Sequence, residues 1–483
     1  MLGADVAALP VDFFRVLVGL IALGYCARQL GEVDLYWGPD SLVPHAVSRS
    51  VFAFTWQPLF PLGASNGWVT AVFGTGCALS VAIVLGIFPR VCALGLYALV
   101  VCAYRYDFLV LFVDDVVVHL LLFWVVLLPV GSTLSIPALV RNQKGSWATW
   151  RHARVSGTTV RLFLANLAFL YLVAGLSKWG SPLWRSGDAI YAVLRLPMSH
   201  LSELVDDSHV PFLRYLDYAT LIVEPLLGVG ILVSSNRAAR IGLVTSLLLF
   251  HLGIAVAVDV PFANLGCLSV LPLLWRRSAR ARAPRARRAS ARIETAVGLV
   301  VLILLVGAMF GSLTGPAWRN PGLAEEHGKP SFVEGASAET GGPMQTAFFG
   351  SLWCLGLAQQ YRLLDWIDDR NFHVTTRFRV TPNDGSSPTL VAGGAILPHD
   401  MRTSLLLSYL GGVTWMPIPP RGVLPVRRDI ENRIALRTCK LLRTNAYVEL
   451  EADYARVDPR KPSHSERTTL AAFRCSKLGP ETP

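Results

Sequence analysis

The chain has 483 residues, 53% of them hydrophobic and only 16% charged, with a mean hydropathy of +0.46 and a formal net charge of +11. A soluble globular chain carries about 25% charged residues, so the balance excludes an ordinary soluble enzyme and a disordered chain and points to a polytopic membrane protein. Eight cysteines with no CxxC pair exclude a thioredoxin-like redox site.

Taken in chain order, apolar runs long enough to cross a bilayer recur through the first 312 positions. The length criterion places about nine spans, at 11–29, 66–87, 91–106, 113–130, 159–178, 215–233, 239–258, 262–274 and 293–312. The first run contains Arg15 and lacks a small-residue cleavage site, which reads as an anchor and not a cleaved signal peptide. Those at 91–106 and 262–274 are short, as expected of tilted, broken or partly re-entrant segments. Basic residues cluster at 141–161, including Arg141, Lys144 and Arg151, and more densely between Arg276 and Arg292. Excess Lys and Arg marks the cytoplasmic side. About nine spans then put the N-terminus in the cytoplasm and the C-terminus outside. Flanked by apolar spans, the 276–292 cluster faces anionic lipid headgroups, so the lipid bilayer and no nucleic acid is the expected partner of the basic charge.

Beyond residue 312 the character changes. Residues 313–347 are rich in Gly, Pro, Ser and Glu and read as a linker, and 348–367 as a helix or a segment lying on the membrane. Alternation over Phe372–Val380 ends at Pro382-Asn383-Asp384-Gly385, a turn signal. Ala446–Tyr454 and Thr468–Cys475 read as further strands, and Arg428–Arg443 has helical spacing. The predicted fold is mainly α, a polytopic transmembrane helical bundle (1–312) followed by an extracytoplasmic α+β domain (348–483). Cys26, Cys77, Cys92, Cys102 and Cys267 lie in or beside spans and read as small hydrophobes. Among Cys354, Cys439 and Cys475, the pair expected to join outside the membrane is Cys439 with Cys475.

Ionisable residues inside spans are the functional candidates. Lys178 closes the fifth run, Glu224 interrupts the sixth and His251 the seventh, while Asp115 and His119 share a helix face four residues apart. Lys178, His119, Glu224 and His251 all lie within roughly 12 Å of the external ends of their helices, at about 1.5 Å per residue. One polar pocket opening outward is the expectation. Each residue also has a plain structural alternative: Lys178 snorkels to headgroups, His119 bonds a core carbonyl, Glu224 satisfies backbone freed by Pro225, and Asp115 caps a helix.

The stretch Tyr171-Leu172-Val173-Ala174-Gly175-Leu176-Ser177-Lys178, followed by Trp184 and Gly187, resembles the vitamin K-dependent γ-carboxylase family and its bacterial relatives, the HTTM (horizontally transferred transmembrane) domain proteins. Leu221-Ile222-Val223-Glu224 with Gly228, Phe250-His251, Arg105-Tyr106-Asp107, and Asp114-Asp115 with His119 are similar to family segments, as are Tyr36-Trp37-Gly38-Pro39 and Leu42-Val43-Pro44. The resemblance covers roughly residues 10–275. It implies that Lys178 deprotonates a reduced vitamin K-type quinone (menaquinol or phylloquinol), which oxygen converts to a strong base. That base removes a γ-proton from a glutamyl side chain, and the carbanion captures carbon dioxide. It also implies that His251 and His119 hydrogen-bond substrate or quinol oxygens, that Glu224 orients Lys178, and that Trp179, Trp184 and Phe250 contact the quinol. A secreted or membrane protein bound by the external domain is the implied substrate, and a bacterial plasma membrane the implied location.

Two other classes remain open from sequence: a transporter relaying protons through His119, Glu224 and His251, and a non-catalytic scaffold or maturation factor for a secreted client. A metal site of Asp115, His119 and His251 is a minor option, since its ligands lie on only two spans.

Overall fold

A computed structural model describes residues 5–45, 57–61, 63–107, 110–141, 153–195, 198–202, 204–234, 236–275, 296–300, 302–303, 372–398, 400–410, 423–443, 445–456, 465–476 and 479–481. The linker 313–347, the segment 348–367, the basic cluster 276–292 and Cys354 lie outside these residues, as does most of the ninth span at 293–312.

The first part is helical: α1 (Ala8–Gly31), α2 (Asn66–Leu85), α3 (Pro89–Tyr106), α4 (Val113–Leu127), α5 (Thr158–Lys178), α6 (Val210–Val233), α7 (Arg237–Ala257) and α8 (Pro261–Leu268). Among the described residues, five helices (α1, α2, α5, α6 with the short turn before it, and α7) are long and apolar enough to cross a membrane. The expected short span at 262–274 is broken: α8 ends at Leu268 and a separate turn covers Leu271–Trp275.

Burial separates inner from outer helices. In the apolar windows of α1 and α5, 61% and 67% of residues are buried, against 17% for α7. The interior of α7 is therefore one stripe, Leu243, Leu247 and His251, at helical spacing. The stripe on α6 runs Leu213, Asp217, Leu221, Glu224 and Leu227 in the same way. Both place an ionisable side chain inward. Arg15, the charge within the first span, is fully buried and donates to the carbonyls of Val84 (2.9 Å) and Ile83 in the last turn of α2. Asp12, one turn earlier, accepts from Thr133 N and Thr133 Oγ1 at 2.6 Å each and holds the loop after α4.

The second part is a small antiparallel sheet, order β4-β3-β5-β6-β7, with β3 at Phe372–Pro382, β4 at Thr389–Ala392, β5 at Ala446–Arg456, β6 at Ser465–Ser476 and β7 at Gly479–Glu481. (β1, Val6–Ala7, and β2, Arg154–Val155, pair separately beside α1.) β3, β5, β6 and the helix α10 (Val423–Leu442) stand where the sequence places them; β4, β7 and the helix α9 (Met401–Leu410) were not anticipated. Phe378 opposes Leu450, and Val448 opposes Phe473, so one face is apolar and α10 covers it with Ile430 and Ile434. The other face carries Glu451 between Arg377 and Arg379. The expected disulfide Cys439–Cys475 ties α10 to β6.

Candidate functional site

Lys178 and Glu224 form a buried ion pair, Nζ to Oε2 2.7 Å, with side chains 7% and 9% exposed. Close approach of α5 to α6 makes it. A Cβ on Gly175 would stand 2.5 Å from Pro225 Cδ, and one on Gly228 would stand 2.6 Å from the Ala168 carbonyl, so only hydrogen at both positions lets the backbones meet. Pro225 has no N–H for the carbonyl of Leu221. Trp179 fills that vacancy, its Nε1 donating to Leu221 O at 3.3 Å. The backbone freed by Pro225 is thus satisfied by Trp179, leaving Glu224 for Lys178. Lys178 also donates to Ala174 O at 3.4 Å, and its ammonium stands 5.5 Å from the centre of the buried Trp184 ring, a cation–π contact.

Behind the pair lies a cavity of about 90 Å³ between α4, α5, α7 and α8. Its walls are apolar apart from Asn166, Tyr171, Glu224, His251, Asn264 and Cys267. His251 is held on both ring nitrogens: Tyr171 OH lies 2.5 Å from Nε2, and Asn264 Oδ1 lies 3.0 Å from Nδ1. An amide oxygen only accepts, so the ring carries its proton on Nδ1 and accepts at Nε2 from the tyrosine hydroxyl. Among the described residues, the buried Asn264 Nδ2 has no hydrogen-bond partner, which leaves an amide donor on a residue of the cavity wall. Leu170, Phe250 and Ile254 of the lining are half-buried and stand beside the exposed Leu249 and Leu252 of α7. Phe250 also packs edge-on against His251, ring centroids 5.5 Å apart.

Of the residues singled out by sequence, Glu224, His251 and Phe250 line the cavity, and Lys178 reaches it through Glu224. Trp184 stands behind Lys178, and Trp179, 51% exposed, is the tie to α6 described above. His119 is not among the cavity residues. Its ring meets Tyr97 and Tyr104 of α3 at centroid distances of 5.9 and 5.5 Å, while its neighbours Val117, Leu120 and Leu121 face the cavity. Asp115, expected beside it, accepts from Tyr25 OH at 2.5 Å and from Arg402 at 2.9 Å. Of the four residues expected in one outward pocket, Lys178, Glu224 and His251 gather at the cavity while His119 stands apart against α3, and Asp115 belongs to a separate cluster. Among the described residues, no three His, Cys, Asp or Glu side chains gather as metal ligands.

Sequence reasoning did not single out Tyr171, Asn264 or Arg402. Tyr171 carried a signal, standing two helical turns before Lys178 on the same face. So did Asn264, an amide in an apolar segment. Arg402 carried none. Comparison with protein-family models, with curated proteins and with solved structures finds no match to this chain.

Proposed function

We propose that the chain is an integral membrane enzyme of the vitamin K-dependent γ-carboxylase kind, with the Lys178–Glu224 pair as its base. One observation carries this reading: a buried amine–carboxylate pair at 2.7 Å abuts a mostly apolar cavity lined in part by half-buried residues of α7, the least buried of the long helices. A reduced quinone, when bound, supplies the electrons for oxygen and hence the strong base that carboxylation of a glutamyl side chain needs.

The residues present fit such a group in chemistry. Asn264 Nδ2, without a partner among the described residues, offers a donor to a ring oxygen, and leucine, valine and phenylalanine walls suit a lipid-borne ring. The cavity measures about 90 Å³. Small-molecule sites span about 300–1,000 Å³, so binding requires the half-buried wall of Leu170, Phe250 and Ile254 to open. Within the pair, a proton resting on Glu224 Oε2 leaves Lys178 as a neutral amine, and a proton on Nζ restores the ion pair. Moving it over 2.7 Å needs no rearrangement of either helix. His251, fixed by Tyr171 and Asn264, stands on the cavity wall. Apolar walls exclude water, as a carbanion requires.

The same reading completes the topology: about nine spans with the 293–312 segment counted, N-terminus cytoplasmic, and the sheet domain outside, where it binds the protein substrate. The test is epoxide formation by protein in lipid nanodiscs supplied with menaquinol or phylloquinol, oxygen, labelled bicarbonate and a glutamate-rich peptide. Epoxide and fixed label that disappear in Lys178→Ala and Glu224→Gln support the reading. Epoxide without label reduces it to quinol oxidation. Neither product from folded protein overturns it in favour of a scaffold or a transporter.

A further inference from the structure

The least expected contact joins the sheet domain to the helical part. Arg402, near the start of α9, is 1% exposed. Its guanidinium donates to the Val110 carbonyl at 2.6 Å, to Asp115 Oδ1 at 2.9 Å and to Gln29 Oε1 at 3.4 Å. Glu32 Oε2 stands 3.8 Å from Nε. Three aromatic rings enclose the cation: Phe112 at 4.7 Å, Trp37 at 5.3 Å and Tyr36 at 5.8 Å from the guanidinium carbon. All these groups belong to the C-terminal end of α1, the turn after it, and the start of α4. Asp400 caps α9 by accepting from Thr403 N at 2.7 Å, and also accepts from Tyr36 OH at 2.8 Å. α9 in turn packs against α10 of the sheet domain.

A planar fork that donates to a carboxylate and a carbonyl while stacked among aromatic faces is what a guanidinium does and an ammonium does not. The cage is also linked to the cavity. Asp115 and Asp114 are adjacent on α4; Asp114 Oδ1 accepts from Ala263 N at 2.7 Å and so anchors the first turn of α8. The next residue of α8 is Asn264, which holds His251.

We propose that Arg402 is a latch that docks the sheet domain on the helical bundle and, through the start of α4, fixes the first turn of α8 at the cavity. The occupant of the cage is this chain's own α9. The proposal does not depend on the enzymatic reading, and its tests measure no activity.

A protease site inserted between residues 321 and 340 lets the full chain be cut in mild detergent and the two fragments be recovered on a tag at the N-terminus. Parent fragments should stay together after cutting. Arg402→Gln and Asp115→Asn should each lower recovery of the C-terminal fragment by tenfold or more, and Arg402→Lys should fall between, keeping charge but losing the fork. Hydrogen exchange on uncut Arg402→Gln should rise at 110–116 and 261–268 and stay unchanged over β3, β5 and α10. Asp115→Asn leaves the sheet domain's sequence intact, so loss of docking there is not misfolding of that domain. Separation of the parent fragments, or full recovery with Arg402→Gln, overturns the latch. Unchanged exchange at 261–268 overturns its link to the cavity.

Discussion

Removing one partner of the Lys178–Glu224 pair, and then both, separates what the pair does for stability from what it does for chemistry. At 2.7 Å and an effective dielectric constant of about 20, the gross attraction is roughly 6 kcal/mol. Desolvation of both ions offsets much of it, so the pair is a weak net stabiliser relative to an apolar pair of the same size. Breaking it is another matter. Glu224→Leu alone leaves a buried ammonium, and Lys178→Met alone leaves a buried carboxylate, each costing about 3–5 kcal/mol. The double variant leaves neither, and should lie within about 1–2 kcal/mol of the parent by volume-conserving replacement. The expected coupling is thus at least about 3 kcal/mol, read by unfolding in detergent with tryptophan fluorescence. On the proposed function, the same double variant should be folded and inactive for quinol epoxidation. Polar pairs between membrane helices average only about 0.6 kcal/mol in such cycles. A coupling below about 1 kcal/mol, or singles that sum to the double, would refute the claim that the two charges are buried on each other.

Other consequences follow from the same contacts. Gly175→Val should force α5 from α6, lower stability by about 1–3 kcal/mol through overpacking, and abolish activity together with the ion pair, whereas Gly253→Ala, on α7 with open space around it, should do neither. Tyr171→Phe removes the donor to His251 Nε2, and an acceptor left unpaired in an apolar cavity should cost about 1–3 kcal/mol in thermal unfolding. In the sheet domain, hydrogen bonds from Arg379 and Arg377 hold the Glu451 carboxyl below its ordinary value, with burial opposing them. Its contribution is therefore complete above the unfolded glutamate value of about 4.3 and is lost as pH falls through the lower folded value; the stability difference between parent and Glu451→Gln should be constant from neutral pH down to that range and vanish below it. Reduction of Cys439–Cys475, which closes a separation of 36 residues, should destabilise the sheet domain by about 4 kcal/mol on a chain-entropy basis; an unchanged melting transition after reduction would contradict it.

What the sequence revealed depended on how local the responsible interaction is. Hydrophobic length located the long helices, because a helix satisfies its own backbone and needs only an apolar surface to enter lipid. Depth along a helix is also local, which is why Lys178, Glu224 and His251 were legible as one level. The direction of a side chain around its helix was legible where only one stripe is buried, as with His251 on α7. It was not legible on α4, where nearly every residue from Asp114 to Leu122 is buried. There, spacing alone joined Asp115 to His119, while packing sent one to Arg402 and the other to the aromatic rings of α3.

Arg402 lies beyond the reach of such reasoning for a definite reason. Its partners Gln29, Val110 and Asp115 are separated from it by 373, 292 and 287 residues. Its own segment, Met401–Leu410, carries no periodicity or motif that sequence assigns to an element. A buried acid in a span, however, demands a cation or a set of donors somewhere in the chain. Asp115 therefore announced that a partner exists without saying where. Lys178 is committed to Glu224, and Arg15 to Asp12 and the end of α2. The cation that meets Asp115 comes instead from outside the spans, on α9. Charge balance at that one aspartate thus makes the sheet domain part of the membrane unit, and a helical bundle cut off before α9 would keep a buried carboxylate with its cation removed.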